Sequence, residues 1–204
     1  ILLMVSGPSG SGKTTLATVI AAESGCKILK INAVTSNVAE LRDALKLARY
    51  YGSANCYLFI DEIHRFNKAQ QDLLLPDVES GNARLIGATT HNPRYYVIDP
   101  LLSRCHLFTL EPLSVPVIEG SLRVALNDCE RGLGSRSCEA DKVILEQIAL
   151  LAEGDLRRGY NFLETIVEAL SVGTKLTDKE VAVFSRERNI RYDRDEDEHY
   201  DTTS

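Results

Sequence analysis

Gly7-Pro8-Ser9-Gly10-Ser11-Gly12-Lys13-Thr14 is the stretch that decides the fold, and it fits the pattern G-x-x-x-x-G-K-S/T in full. The apolar residues 1–6 before it predict a buried strand, while Leu16, Val19 and Ile20 after it share one face of a predicted helix. A glycine-rich loop in this setting winds its backbone N–H groups around phosphate oxygens, and the positive end of the helix dipole points there too. The stretch therefore predicts a nucleotide-binding loop rather than a glycine turn that matches by chance.

Two residues of this loop carry the chemistry beyond the backbone. Lys13 would reach the β- and γ-phosphates of a nucleotide, and the Thr14 hydroxyl would ligate Mg²⁺. The predicted cofactors are therefore ATP and Mg²⁺. The residues of this segment expected to contact the nucleotide are Gly7, Pro8, Ser9, Gly10, Ser11, Gly12, Lys13, Thr14 and Thr15.

Two further apolar runs end in side chains that suit the same chemistry. The run 57–62 ends in Asp61 and Glu62, and α/β folds bind ligands at the carboxyl ends of their strands. We predict that Asp61 holds Mg²⁺ or its waters and that Glu62 is the general base for an attacking water. The run 85–90 ends in hydroxyls, where Thr90 would bind the γ-phosphate or the water, or would simply cap its strand.

The alternation of apolar runs with helical periodicity predicts an α/β P-loop fold with a five-stranded parallel sheet. The strand candidates are 1–6, 28–32, 56–60, 84–88 and 105–110. Between them, Val38, Leu41, Leu45 and Ala48 share a helical face, and Asn37 with Glu40 is a capping start for that helix. After Glu111-Pro112 the strands are expected to stop, and the helix candidates are 115–130, 140–153, 156–171 and 177–186. The predicted domains are the ATPase core 1–111, a small all-helical lid 112–189 and a charged tail 190–204.

Composition narrows the class of protein without naming a function. The formal net charge of −6 argues against a surface that coats nucleic acid throughout, although a local basic patch remains possible. The 5 cysteines form no C-x-x-C pair, so we expect reduced thiols and no metal site built on them. No apolar run approaches the ~18 residues of a membrane span, and the opening residues indicate a strand rather than a signal peptide.

Basic residues outside the loop allow two interpretations each. Arg104, in Leu101-Leu102-Ser103-Arg104-Cys105, precedes the fifth strand, where a surface arginine is common. Arg157 and Arg158 open a helix, where a cation opposes the helix dipole and an anionic phosphate would supply a partner. The cluster His64-Arg65-Phe66-Asn67-Lys68 would face DNA or another subunit, or would be a solvated helix start anchored by Phe66; the residues alone favour the second.

The order of these motifs resembles the clamp-loader branch of the AAA+ ATPases. More specifically, Asp61-Glu62-Ile63-His64-Arg65-Phe66-Asn67-Lys68-Ala69-Gln70-Gln71-Asp72, Leu75-Pro76 and Ile86-Gly87-Ala88-Thr89-Thr90-His91-Asn92-Pro93 resemble the replication-associated recombination protein A family. That family is also called MgsA, and its eukaryotic member is the Werner-helicase-interacting protein. Tyr192-Asp193 and Glu198-His199-Tyr200-Asp201 are similar to the segment that leads into the family's C-terminal part.

The resemblance implies roles that spacing does not provide. Arg104 would be the arginine finger that enters the neighbouring subunit's ATP site, and Arg157 the sensor-2 arginine laid over the γ-phosphate by the lid. Thr90 corresponds to the sensor-1 residue, and Asn32 to the clamp-loader asparagine that holds the catalytic glutamate idle until DNA engages. His91 departs from the family, in which glutamate is common at that place.

The resemblance further implies an ATP hydrolase that depends on DNA and maintains stalled or gapped replication forks. Its partners would be forks, gaps or single-strand junctions, further copies of itself, and a single-strand-binding protein or helicase, with no membrane. It would be cytoplasmic and nucleoid-associated in a bacterium, or nuclear in a eukaryote. We expect the 204 residues to be a core from which an adenine-side segment and an oligomerisation region are trimmed. One alternative is a clamp-loader subunit, against which the stretch from His64 to Gln71 argues. The other is a nucleotide-gated binding module with little turnover, against which Lys13, Asp61 and Glu62 argue.

Overall fold

The computed structural model describes residues 2–185. The chain divides into two compact units, Ile1–Glu111 and Pro112–Ser204. The charged tail 190–204, with the family-like segments at 192–193 and 198–201, lies outside the described residues, as do the last positions of the predicted lid and of its final helix.

A five-stranded parallel sheet forms the centre of the first unit, as the sequence predicts. Its strand order is β2-β3-β4-β1-β5, and each pair of neighbours is parallel. The two strands β3 and β4 are buried along almost their whole length, which is why their sequences are continuous apolar runs rather than alternating ones. The strands are β1 (Leu2–Ser6), β2 (Lys27–Asn32), β3 (Cys56–Asp61), β4 (Arg84–Thr89) and β5 (Cys105–Thr109).

Apolar side chains cover both faces of this sheet. Successive residues of a strand point to opposite faces, so Leu58 and Ile60 of β3 join one core cluster while Tyr57 and Phe59 join the other. Burial of a large apolar side chain contributes about 1.5–3 kcal/mol. The strand ends, and the loops that carry the polar motifs, are therefore held on a rigid support.

Six helices accompany the sheet in the described part of this unit. The predicted capping box is confirmed, since Asn37 Oδ1 accepts from the Glu40 N–H at 3.0 Å and Glu40 Oε2 accepts from the Asn37 N–H at 3.3 Å. The helices are α1 (Lys13–Glu23), α2 (Val38–Tyr51), α3 (Lys68–Asp72), α4 (Leu75–Glu79), α5 (Pro93–Tyr96) and α6 (Asp99–Leu102).

The buried face of α1 differs from the predicted one. Ala17 and Ala21 are buried in the core on that side of the sheet, whereas Val19 is 49% exposed. Leu16 and Ile20 are only partly buried. Small alanine side chains let a helix backbone approach a sheet closely, so the packing selects the alanines rather than the larger residues.

The second unit is built mainly of helices, α7 (Val115–Asn127), α8 (Lys142–Leu151) and α9 (Leu156–Glu168), and a further helix runs from 178 to the end of the described residues at 185. The expectation that it is all-helical is wrong in one respect, because two short strands, β6 (Glu139–Ala140) and β7 (Lys175–Leu176), pair in parallel. Leu176 is 1% exposed in the core of this unit. The strand pairing supplies hydrogen bonds to the extended backbone of the segment that carries this buried side chain. Within residues 2–185 we find no helix long and apolar enough to cross a bilayer.

Candidate active site

The glycine-rich loop joins β1 to α1, and its backbone requires glycine at two points. Gly7 has φ +154°, and a Cβ atom there would lie 2.6 Å from the Leu110 carbonyl oxygen. Gly12, at φ +92°, precedes the first turn of α1, and no side chain caps that turn. The first N–H groups of a helix lack intrahelical partners. Those of α1 therefore suit an anion such as phosphate.

Lys13 is buried within this loop, with 8% of its surface exposed. Its Nζ donates to the carbonyl oxygens of Gly7 at 2.9 Å and Pro8 at 2.8 Å. The Ser11 hydroxyl donates to the same Pro8 oxygen at 2.8 Å. A buried ammonium needs such acceptors, so the loop itself holds the cation at the place where phosphate oxygens would compete for it.

Strand order brings the motifs to one edge of the sheet. β4 lies between β1 and β3, and the Gly7 N–H donates to the Thr89 carbonyl oxygen at 3.2 Å. Asn32 at the end of β2 is in register with Asp61 at the end of β3. The structure thus places the loop, Asp61, Glu62 and the end of β4 side by side. Oxygen donors such as the Thr14 hydroxyl and the Asp61 carboxylate suit Mg²⁺.

Glu62 leaves β3 in a conformation that is uncommon for a residue with a side chain. Its φ and ψ are 53° and 42°, in the left-handed region, and its N–H donates to Asp61 Oδ1 at 3.1 Å. Such backbone conformations cost about 1–3 kcal/mol and cluster at active sites. The Thr90 hydroxyl donates to Glu62 Oε2 at 3.2 Å, so β4 delivers a second candidate residue to the predicted base.

His64 is a residue of this site that the sequence interpretation missed. Its side chain is 6% exposed, and its Nδ1 lies 3.1 Å from Glu62 Oε2 and 2.9 Å from Thr89 Oγ1. The interpretation favoured from the sequence, a solvated helix start, is therefore wrong for His64. Phe66 is a core anchor as expected, with 3% of its surface exposed. A tight 3₁₀ turn at Ile63–Arg65 is what directs the ring inward, and no pattern of residue types signals it.

The ring of His64 lies in an aromatic setting at this edge. Ring centroids are 4.2 Å apart for His64 and His91, 5.8 Å for His64 and Tyr96, and 5.0 Å for His91 and Tyr96. Burial lowers the pKa of His64; Glu62 opposes this shift, and His91 and Arg65 add to it. Burial therefore favours the neutral form of the imidazole.

Asn32 and Arg104, two residues named by the resemblance, have other partners. Asn32 Oδ1 accepts from the Val34 N–H at 2.9 Å, so the structure does not bring its amide to Glu62. Arg104 pairs with Glu79, Nη2 to Oε1 at 2.8 Å, and also donates to the Pro100 carbonyl oxygen at 2.8 Å. Its side chain is 43% exposed, which leaves it accessible.

In the second unit, the two arginines at the start of α9 differ from one another. Asp155 caps the helix by accepting from the Arg158 N–H at 3.2 Å, and Arg158 pairs with Glu153 at 2.6 Å. Arg157 is exposed, and within residues 2–185 no ion pair or side-chain hydrogen bond involves it. A cation at the start of a helix is unfavourable, and for Arg158 the ion pair with Glu153 compensates for this. Arg157 is the arginine that is open to solvent.

A glycine-rich loop between a strand and a helix, with an acidic strand end in the same parallel sheet, defines a P-loop nucleoside triphosphatase. The model of the ATPase family associated with various cellular activities (AAA) matches residues 3–112, and that of the AAA C-terminal domain matches residues 134–204. The chain belongs to this AAA family, whose reaction is ATP hydrolysis.

Named relatives refine this assignment. Replication-associated recombination protein A of Escherichia coli strain K12 is 40% identical over 208 residues, which covers 99% of this chain and 46% of that protein. ATPase WRNIP1 of Dictyostelium discoideum is 40% identical over 166 residues, 80% of this chain and 19% of that protein. The resemblance predicted from the sequence is thereby confirmed. The chain spans about half the length of the first curated relatives it matches, 46% in the case of the E. coli protein.

Solved structures support the same fold. The RuvB Holliday junction branch migration motor of Thermotoga maritima has a TM-score of 0.72 to this chain at 26% identity, covering 88% of this chain and 59% of that chain. The predicted α/β P-loop architecture is confirmed by this likeness and by the five-stranded parallel sheet.

Proposed function

We propose that this chain is the ATP-hydrolysing core of a DNA-dependent ATPase that acts in replication-coupled recombination and maintains stalled or gapped forks. The observation that carries the proposal is the gathering of Lys13, Asp61, Glu62 and Thr90 at one edge of a parallel sheet, beside a complete phosphate loop. The names of the similar proteins above supply the biological setting.

The loop binds the triphosphate through its backbone and through Lys13. The ammonium exchanges the carbonyl oxygens of Gly7 and Pro8 for β- and γ-phosphate oxygens, a charge-assisted contact that is stronger than the one it replaces. Thr14 and Asp61 would hold Mg²⁺, which when bound neutralises charge on the phosphates. Gly7 to Thr15 thus orient the substrate, and none of them transfers a proton.

Glu62 takes the proton of the attacking water. A carboxylate in this role typically contributes about 10²–10⁴-fold to the rate, and Glu62 is held at the sheet edge by Thr90 and His64. Thr90, at the end of β4, donates a hydrogen bond to the base. In this proposal the same hydroxyl also contacts the γ-phosphate. The reaction is ATP + H₂O → ADP + phosphate.

Hydrolysis is completed, in this proposal, by residues outside the loop. Arg104 is accessible, and its one ion pair in the described residues is with an exposed carboxylate, Glu79; it enters the site of a neighbouring copy in a homo-oligomer. Arg157, exposed at the start of α9, is the proposed sensor-2 arginine for the γ-phosphate. Asn32 has a different partner here, so its role as a brake on Glu62 requires a rearrangement.

DNA forks, gaps or single-strand junctions are the proposed macromolecular partners, with a single-strand-binding protein or helicase acting nearby. Arg65, in the 3₁₀ turn that follows Glu62, and Lys68, at the start of α3, are both exposed. A DNA phosphate bound there would lie within a few residues of the proposed base. The net charge of −6 restricts DNA contact to such local patches. The proposed location is the bacterial nucleoid, or the nucleus in a eukaryote.

A clamp-loader subunit is the second candidate, because the Arg104 and Arg157 segments fit it equally well. Replication-associated recombination protein A, the similar protein of E. coli, is named for recombination rather than for clamp loading, which favours the first proposal. A stable complex with a sliding clamp, and ATP turnover stimulated by that clamp, would reverse the choice.

The test is the ATPase rate of the full-length protein with forked, gapped, single-stranded and blunt duplex DNA. We expect junction-containing DNA to raise the rate and blunt duplex to have little effect. Lys13→Ala serves as the control for contaminating activity, because it removes the phosphate-binding ammonium. Equal rates with and without every DNA would contradict the DNA-dependent function while leaving the ATPase assignment open to its own test.

A further inference from the structure

The Glu62 carboxylate is held through only one of its two oxygens. The Thr90 hydroxyl, at 3.2 Å, and His64 Nδ1, at 3.1 Å, both meet Oε2. Among the described residues, Oε1 makes no hydrogen bond. A carboxylate anchored in this way presents its second oxygen in a fixed direction, which is what a base needs in order to accept a proton from a positioned water.

The hydrogen-bond pattern assigns the tautomer of His64. The carboxylate of Glu62 is an acceptor, and the Thr89 hydroxyl accepts from the His91 N–H at 3.0 Å while lying 3.4 Å from the His91 carbonyl oxygen, to which it donates. His64 Nδ1 must therefore carry a proton, which it donates to Thr89 Oγ1 at 2.9 Å, and the Glu62 carboxylate lies 3.1 Å from the same nitrogen. Nε2 is buried without a partner in the described residues, and an unprotonated nitrogen costs less there than an orphaned N–H.

A neutral donor suits a base better than a cation does. The buried environment disfavours a second proton on the ring, so the carboxylate faces a neutral imidazole rather than a full positive charge. A full positive charge at 3.1 Å would stabilise the carboxylate and make it a weaker proton acceptor. The arrangement holds the carboxylate in place without a full cation beside it.

We propose that His64 is a positioning residue for the general base: its Nδ1–H, together with the Thr90 hydroxyl, anchors Oε2 of Glu62 so that Oε1 faces the attacking water. This inference rests on the proposed function, in which Glu62 is that base. His64 acts on the reaction through Glu62, and its tight contacts with Thr89 and the His91 ring fix its own position.

Two substitutions separate the hydrogen bond from the packing of the ring. His64→Asn retains an N–H donor near the position of Nδ1 but removes the ring, whereas His64→Phe retains a ring between His91 and Tyr96 but removes the donor. The same substitutions at His106, an exposed residue of β5, are the matched controls. The measurements are kcat for ATP hydrolysis by the full-length protein, the dissociation constant of a fluorescent ATP analogue, and thermal unfolding.

We expect His64→Phe to lower kcat by about 10- to 100-fold, the usual worth of a hydrogen bond to a charged group, with nucleotide affinity unchanged. His64→Asn should retain most of the parent kcat, and both His106 variants should match the parent. If His64→Phe fails to fold, His64→Leu replaces it as the variant without a donor. A purely structural role predicts the reverse ranking, with the aromatic variant near the parent and asparagine impaired.

The inference is overturned if His64→Phe turns over at the parent rate, or if His64→Asn is as slow as His64→Phe. Glu62→Gln, measured in parallel, separates this failure from failure of the proposed function. If Glu62→Gln hydrolyses ATP at the parent rate, the base assignment itself fails. If Glu62→Gln is inactive and His64→Phe is fully active, only the positioning role fails.

Discussion

At the scale of single residues, the phosphate loop depends on a backbone conformation that only glycine adopts without strain. Gly7 combines φ +154° with an approach that would place a Cβ atom 2.6 Å from a carbonyl oxygen of Leu110. The contact atom belongs to the backbone, so it cannot move aside as a flexible side chain would. The loop therefore tolerates its Pro8, Ser9 and Ser11 side chains but not one at Gly7.

Gly7→Ala should lower the free energy of unfolding by about 1–3 kcal/mol, through backbone strain and the clash with Leu110, and should weaken ATP binding. Urea unfolding and nucleotide titration measure the two effects. Gly120→Ala, in the interior of α7 with open space around its Cβ position, is the matched control, and we expect it to be neutral or stabilising by up to about 1 kcal/mol. A Gly7→Ala protein as stable as the parent would contradict this account.

Substitutions of Lys13 and Glu62 should impair the ATPase in different ways. Lys13→Ala removes the ammonium that meets phosphate and should abolish ATP binding. Glu62→Gln keeps the shape of the side chain but cannot accept a proton, so it should bind ATP normally and hydrolyse it about 10²–10⁴-fold more slowly. Nucleotide titration and a phosphate-release assay distinguish the two. Near-normal turnover by Glu62→Gln would refute its assignment as the base.

At the scale of secondary-structure elements, α2 and α4 are joined by an ion pair that is buried on one side. Arg49 of α2 contacts Asp77 of α4 through two hydrogen bonds, at 2.5 and 2.7 Å. The Asp77 side chain is 2% exposed and that of Arg49 is 50% exposed. The Asp77 carboxylate raises the pKa of Arg49 above its usual value. Asp77 is thus a buried anion whose compensation comes from another helix.

Arg49→Ala should reduce the free energy of unfolding by more than Lys46→Ala does, because the buried Asp77 carboxylate keeps its desolvation cost and loses its cation; solvent access at Arg49 keeps the effect below that of a fully buried pair. Arg49→Lys should be intermediate, since an ammonium cannot make the bidentate contact. Lys46→Ala on the same helix breaks an exposed pair with Asp43, at 71% and 68% side-chain exposure, and should change stability by less than about 0.5 kcal/mol. Equal effects of Arg49→Ala and Lys46→Ala in urea unfolding would show that burial of Asp77 is immaterial.

At the scale of the whole molecule, Arg104 should act between subunits. Its ion pair with Glu79 is exposed and worth about 0–1 kcal/mol, whereas an arginine finger is worth about 10³–10⁵ in turnover. In the full-length protein, Arg104→Ala should therefore keep ATP affinity and lose hydrolysis. Arg42→Ala, an exposed arginine of α2, should leave turnover unchanged.

Mixing tests whether the finger acts in trans. A mixture of Arg104→Ala and Lys13→Ala proteins contains interfaces where an intact Arg104 faces an intact phosphate loop, so part of the activity should return. Phosphate release measured against the mixing ratio should pass through a maximum. If Arg104→Ala is inactive and no mixture restores turnover, the residue acts within its own subunit or supports the fold; if Arg104→Ala alone has normal turnover, it is a surface arginine.

The sequence by itself determined the phosphate loop, the five parallel strands, the capping box of α2 and the resemblance to replication-associated recombination protein A. These features are local, because each depends on residue types at fixed short spacings. The face of α1 and the short β6–β7 pair were mispredicted, since burial of Ala17 and Leu176 depends on what lies opposite them.

Only the tertiary structure decided the surroundings of Glu62. Thr90 is 28 positions from Glu62 in the chain, and Thr89 is 25 positions from His64, and they meet because β4 is inserted between β3 and β1 in the sheet. The same adjacency places the side chain of His64, which the sequence predicted at the surface, in a buried position 3.1 Å from Glu62, while Asn32 is bonded elsewhere. Strand order depends on the packing of the whole unit, so no local pattern of residues contains it.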